Sequence, residues 1–107
     1  MNNKTKGFLK EKIVADYLLQ KGWTILEKNK NILGVEVDIL AQKNKEQILI
    51  EVKSIKIEDQ IENILKQKQK ERLKKVAESL CDDHSVSVQL FLATVDSQNK
   101  INFFEII

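Results

Sequence analysis

The chain has no proline, only three glycines, one cysteine and one histidine, and aromatic residues make up 6% of it. Without proline, low-complexity tracts or repeats, nothing in the sequence separates one folding unit from another, so the domain should be continuous. A single cysteine, Cys81, excludes an internal disulfide. Its C-x-x-H spacing to His84 lacks the second ligand pair that zinc needs, and a helix end followed by an Asp82-Asp83 turn explains those residues better. No apolar run approaches the ~18 residues of a membrane span, and no signal-peptide pattern is seen, so the cytoplasm is the expected compartment. A nucleophile triad, a P-loop and a dinucleotide fingerprint are also missing.

What is present is a chain of 107 residues, 42% hydrophobic and 32% charged, enough for one compact core and too small for two ordinary domains. A formal net charge of +2 is uninformative, but its distribution is not. Residues 62–78 hold six Lys or Arg against three Glu, and residues 1–12 hold four Lys against Glu11. Acidic residues gather from Glu36 to Glu62. Cations therefore stand to either side of a carboxylate-rich middle, although each basic run also suits a solvated helix face.

The coarse pattern is helix, three strands, helix, two strands. Residues 5–21 read as a helix with Thr5 as cap and Gly22 just past its end. Residues 23–28 read as a strand followed by a loop. Two further strands at about 35–42 and 47–53 flank a polar turn, and residues 57–80 repeat apolar side chains at helical period. Strands near 86–95 and 101–107 complete an α/β domain with a central mixed sheet of about five strands flanked by helices. The two last strands are either internal or free to pair across a homodimer.

The segment "GVEVDILAQKNKEQILIEVK" (34–53) carries the chemistry. A loop at Asn44-Lys45 pairs residues whose numbers sum to 89, which sets Asp38 opposite Glu51 and Glu36 opposite Lys53. Side-chain alternation then sends all four to one face, with Val35, Val37, Ile39 and Ala41 on the other. Opposed like charges cost a few tenths to about 1 kcal/mol. A divalent cation bridging Asp38 and Glu51 would offset that cost, since hard oxygen ligands suit Mg²⁺ or Mn²⁺. The alternative is the exposed side of an amphipathic hairpin. Glu11, meanwhile, lies three residues after Phe8 and three, four and seven before Val14, Ala15 and Leu18, a spacing that buries it among apolar neighbours and demands a partner: a donor, a lysine or a metal.

These stretches, "KGFLKEKIVADYLLQKGWTILEKN", "GVEVDILA", "ILIEVK" and the long basic helix, resemble the YraN family of small bacterial predicted endonucleases, within the PD-(D/E)XK or restriction-endonuclease-like superfamily. The resemblance covers about residues 6–80 and is strongest at Glu11, Asn29, Glu36-x-Asp38 and Glu51-Val52-Lys53. It implies a restriction-endonuclease-like fold, a single nuclease-like domain over residues 1–107, and a metal-dependent endonuclease hydrolysing phosphodiester bonds in DNA, branched or single-stranded DNA among the candidates.

By position, the resemblance implies Asp38 and Glu51 as ligands of Mg²⁺ or Mn²⁺, with the Val52 carbonyl and Glu11 as further ligands. It also implies Lys53 beside the attacking water and scissile phosphate, Glu36 in support, and Lys68 and Arg72 on the second helix as contacts to nucleic acid. Departures from the family pattern are Lys10 and Val35 in place of glycines, Ser54 after Lys53, and a "VQLFLATV" strand without the family's aspartate. They bear on substrate contacts more than on fold. A catalytically weak or inactive nucleic-acid-binding module on the same fold is the second reading, motivated by the basic helix. Trp23 and Tyr17 read as core residues rather than base-stacking platforms, and Asn29 as a loop-fixing asparagine.

Overall fold

The computed structural model describes residues 3–56, 59, 61–81 and 86–107, and the side chains of residues 8–56, 59, 63–81 and 86–107. Its elements are α1 (Asn3–Gln20), β1 (Thr24–Ile32), β2 (Val35–Lys43), β3 (Glu46–Ser54), α2 (Ile61–Ile64), α3 (Gln67–Leu80), β4 (Ser87–Val95) and β5 (Ile101–Ile106). The strands form one sheet in the order β1-β2-β3-β4-β5, antiparallel except for the parallel β3–β4 pair bridged by α2 and α3. The order α-β-β-β-α-β-β around a mixed five-stranded sheet is that expected of a restriction-endonuclease-like fold. Among the described residues, no helix is long and apolar enough to cross a membrane.

The sheet is covered on both sides. Val14, Ala15 and Leu18 of α1 pack on Ile39, Ala41, Ile48, Ile50, Ala93 and Val95. On the other face, Leu73, Val76 and Ala77 of α3, with Leu65, pack on Val37, Leu40, Leu49, Leu90 and Leu92. Leu49 and Ile50 are 0% and 1% exposed and belong to opposite clusters, so β3 is a strand buried on both faces. That is the usual state of the strand that opens a crossover.

Two boundaries differ from those read in the sequence. β1 does not stop at Lys28 but runs to Ile32, then turns through Leu33 and Gly34, at φ 54° and 77°. Two consecutive positive φ values make the tight hairpin turn that matches strand twist, and the Asn31 side chain accepts a hydrogen bond from the Gly34 N–H at 3.0 Å. The expected continuous helix over 57–80 is broken, with Lys66 extended (φ −74°, ψ 154°) between α2 and α3; residues 57, 58 and 60 and the side chains of Thr5, Ile61 and Glu62 lie outside the described set, as do Asp82, Asp83 and His84. β4, read as internal or dimer-forming, is internal, and β5, like β1, is an edge.

Candidate carboxylate site

The site lies where the β2–β3 hairpin opens. Lys43 pairs with Glu46, and the register continues with numbers summing to 89 as far as Ile39–Ile50, in agreement with a two-residue Asn44-Lys45 turn. Asn44 takes a positive φ of 57°, which asparagine tolerates. Beyond Ile50 the ladder yields to a side chain: the Val52 N–H donates to Asp38 Oδ2 at 2.8 Å. Asp38 thus occupies the hydrogen-bonding position that a backbone carbonyl would fill in a regular sheet.

The pleat slips at the same place. Strict alternation would put Val37 with Ile39, yet Val37 packs with Leu40 and Leu49 on the α3 face while Ile39 packs beneath α1. The expected sharing of one face by Glu36, Asp38, Glu51 and Lys53 is therefore not what forms. Asp38 sits at the slip and contacts both Glu11 from α1 and Glu51 from β3. β1 adapts alongside, with Asn29 at φ 52° and its side chain in hydrogen-bonding contact with Glu11.

Glu11, Asp38 and Glu51 are 8%, 8% and 7% exposed, which makes them three of the four buried polar residues among those described. Burial pushes the Glu11 carboxyl up to about 7, helped by the Asp38 charge and opposed by Asn29 and Lys28. Glu51 is raised to about 8 by burial and then by Asp38, against the pull of Lys53. Asp38 is raised by burial, with the Val52 N–H the chief counterweight. Hydrogen bonding between Asp38 and the two glutamates requires a proton on the glutamate side, because two ionised carboxylates are both acceptors. Lys53 supplies the nearby positive charge, its Nζ 3.6 Å from Glu51 Oε1.

Two buried polar atoms among those described lack any partner: Glu11 Oε2 and Thr94 Oγ1. Thr94 pairs with Lys53 across the parallel β3–β4 ladder and alternates with Leu92 of the α3-side core. Sequence reading missed it, and a threonine inside a β-rich run gives no signal to find it by. Lys10, which stands where the resembled family has glycine, spans from α1 to the β4–β5 turn, its Nζ donating to the Asp96 carbonyl and Asn99 Oδ1 at 3.0 Å each.

The other residues singled out in the sequence lie apart. Glu36 is exposed and pairs with Asn31 of β1 rather than facing Lys53. Lys68 and Arg72 are exposed on the N-terminal half of α3. No hydrogen bond or ion pair among the described residues joins these three to the cluster.

Whether the cluster fits a divalent cation is a question of donors and spacing. The donors fit: all are oxygens, and Glu11 Oε2 is a buried acceptor with nothing to accept. The spacing is not that of a finished cage. No group of three or more His, Cys, Asp and Glu side chains among the described residues is already disposed around a metal position. Mg²⁺ needs only one or two protein carboxylates, and Asp38 with either glutamate supplies them.

The model of UPF0102, an uncharacterised protein family, matches residues 10–105, which includes every member of the cluster. A UPF0102 protein of Clostridioides difficile is 52% identical over 54 residues, 50% of this chain and 47% of the relative. One from Dictyoglomus thermophilum is 48% identical over 54 residues, 50% and 46% of the two chains. One from Dictyoglomus turgidum is 37% identical over 81 residues, 73% of this chain and 68% of the relative. The first two alignments thus span about half the length of the relatives. With nearly its whole length matched by the family model, the chain belongs to the UPF0102 family.

Proposed function

We propose that this protein is a metal-dependent phosphodiester hydrolase of the PD-(D/E)XK type, an endonuclease-like enzyme of YraN kind acting on DNA. The observation that carries the reading is the contact of Asp38 with both Glu11 and Glu51 in a buried carboxylate cluster beside Lys53. Burying three carboxylates together opposes stability, so they stand there for what they hold. Asp38 and Glu51 would hold Mg²⁺ or Mn²⁺, with Glu11 as third donor. When bound, the cation supplies Lewis-acid charge to the phosphate oxygens and a water of lowered pKa.

The chain's own groups do the rest. Without a cation, burial holds protons on Glu11 and Glu51 well above the ordinary carboxylate range. Lys53 is a third exposed at its side chain while Glu51 is buried, so its ammonium reaches from the cluster toward solvent, where a phosphate would arrive. A compact, mobile positive charge there orients a phosphate oxygen or the attacking water. Exposed Lys68 and Arg72 would bind phosphates without reading sequence, giving binding that weakens steeply with salt.

The test is cleavage of labelled single-stranded, duplex, flapped and four-way-junction DNA in Mg²⁺ or Mn²⁺, comparing the native chain with Asp38→Ala and Lys53→Ala. Loss in both variants supports the reading; cleavage that survives Asp38→Ala ends it. A second reading is the catalytically weak or inactive nucleic-acid-binding module, favoured by the absence of a preformed three-ligand group among the described residues. It expects salt-sensitive binding that needs Lys68 and Arg72 but no metal, and no cleavage by the native chain.

A further inference from the structure

Four of the six aromatic side chains, Tyr17, Trp23, Phe91 and Phe103, line one cavity of about 250 Å³. It opens on the α1 face between the last turns of α1 and the early residues of β3 and β4, at the end of the sheet away from the carboxylates. Trp23, Phe91 and Phe103 pack against the edge of the α1-side core without being fully buried by it. Tyr17 stays 37% exposed, and Trp23, Phe91 and Phe103 are half-buried. The Tyr17 and Phe103 rings lie 5.6 Å apart with planes tilted by 34°, so neither covers the other's face fully.

Charge at the mouth narrows the ligand. Lys21 Nζ sits 5.5 Å over the Tyr17 ring, and Lys43 Nζ donates to the Lys21 carbonyl at 2.8 Å, which sets two ammonium groups at this end of α1. At the mouth, the exposed Gln89 and Glu46 add hydrogen-bonding groups. A ligand matching this set has a flat ring with donors and acceptors on its edge and an anionic group beside it.

We propose that the aromatic cavity is a base-binding subsite for single-stranded nucleic acid. The inference rests on the reading of the protein as one that acts on nucleic acid, and it specifies the substrate: a single strand, or a duplex with a single-stranded tail. Bases paired within a duplex are stacked on one another and have no face to give Tyr17. Interleaved aromatic and basic groups are the pattern by which single strands are held without sequence readout.

The only tryptophan, Trp23, lines the cavity and reports on it directly. Its fluorescence should be followed in EDTA, where no cleavage occurs, as a short oligothymidylate is added at low salt, with binding of a labelled copy read in parallel by anisotropy. The expected result is saturable quenching by the single strand and none by a duplex of equal length. Tyr17→Leu, which keeps an apolar contact on Phe103, should weaken binding about tenfold, and Tyr17→Phe should restore it. Binding without a Trp23 response, equal affinity in Tyr17→Leu, or no binding at all overturns the proposal. So does a Trp23 signal that depends on protein concentration alone, which would give the cavity to a second copy of the chain. Because the experiment is free of metal, its failure is separable from failure of the hydrolase reading, which is judged by Asp38→Ala in the cleavage assay.

Discussion

From Ile39 to Lys43 and from Glu46 to Ile50 the β2–β3 hairpin keeps an unbroken antiparallel register, and every apolar side chain in it is buried. A residue further along, the Asp38 carboxylate has taken over the Val52 N–H, the pleat has slipped and three acidic groups crowd together. The turn end satisfies its backbone with backbone and its side chains with apolar neighbours, so it contributes stability. The open end gives up backbone regularity to bring carboxylates into contact. A single hairpin thus separates what holds the fold from what the fold holds, and each half should respond differently to substitution.

The largest effect belongs to the open end. Glu51→Gln keeps the shape and removes a negative charge from a buried cluster, so cleavage and Mn²⁺ affinity should fall, cleavage by on the order of a thousandfold. Folding stability should hold or rise in the same protein at pH 8 and above, where native Glu51 ionises against its buried carboxylate neighbours. Cleavage assays, calorimetric Mn²⁺ titration and urea denaturation together check this; a variant that unfolds readily would return Glu51 to a structural role. Leu49→Ala, two residues back and fully buried, is the converse. It should cost about 2–5 kcal/mol of stability by urea denaturation, and a loss under about 1 kcal/mol would mean that the hairpin is not the centre of the core.

Acidity distinguishes the two ends next. The folded chain holds protons on Glu11 and Glu51 up to about pH 7 and 8, whereas their ordinary value is 4.5. Native protein therefore binds more protons than unfolded protein between those limits. Stability from these groups is fully present below about 4.5 and is lost as pH rises through 7 and 8, on the order of a few kcal/mol in total. Thermal denaturation in EDTA from pH 5 to pH 9 should show a falling melting temperature, and Glu51→Gln should flatten the upper part of that fall. A flat profile in the native chain would mean that the carboxyls are not buried together.

How far the sequence disclosed this follows the same division. Periodicity of two around a polar Asn44-Lys45 gave the register of the turn end, and helical spacing around Glu11 gave its burial, because both are local patterns. The slip at Asp38 has no local sign; it comes from Val37 joining Leu40 and Leu49 under α3, a tertiary preference that overrides alternation. β1 was cut short because "EKNKNI" is polar, and an edge strand is where charged residues are tolerated and even useful. The break at Lys66 carries neither glycine nor proline and follows from burying Leu65 at the helix join.

The smallest effect is the most discriminating, because it asks to which end Thr94 belongs. Its hydroxyl is fully buried without a partner, next to Lys53 across the ladder. An unsatisfied buried hydroxyl costs free energy, so Thr94→Val, of similar shape, should raise stability by about 1 kcal/mol in urea denaturation. If cleavage is untouched, Thr94 is a packing imperfection of the core. If stability rises while cleavage falls and Thr94→Ser restores it, the hydroxyl serves Lys53, and the open end extends from the hairpin onto β4. A stability loss above about 1 kcal/mol would show instead that the hydroxyl is hydrogen-bonded in solution, as a buried water would allow.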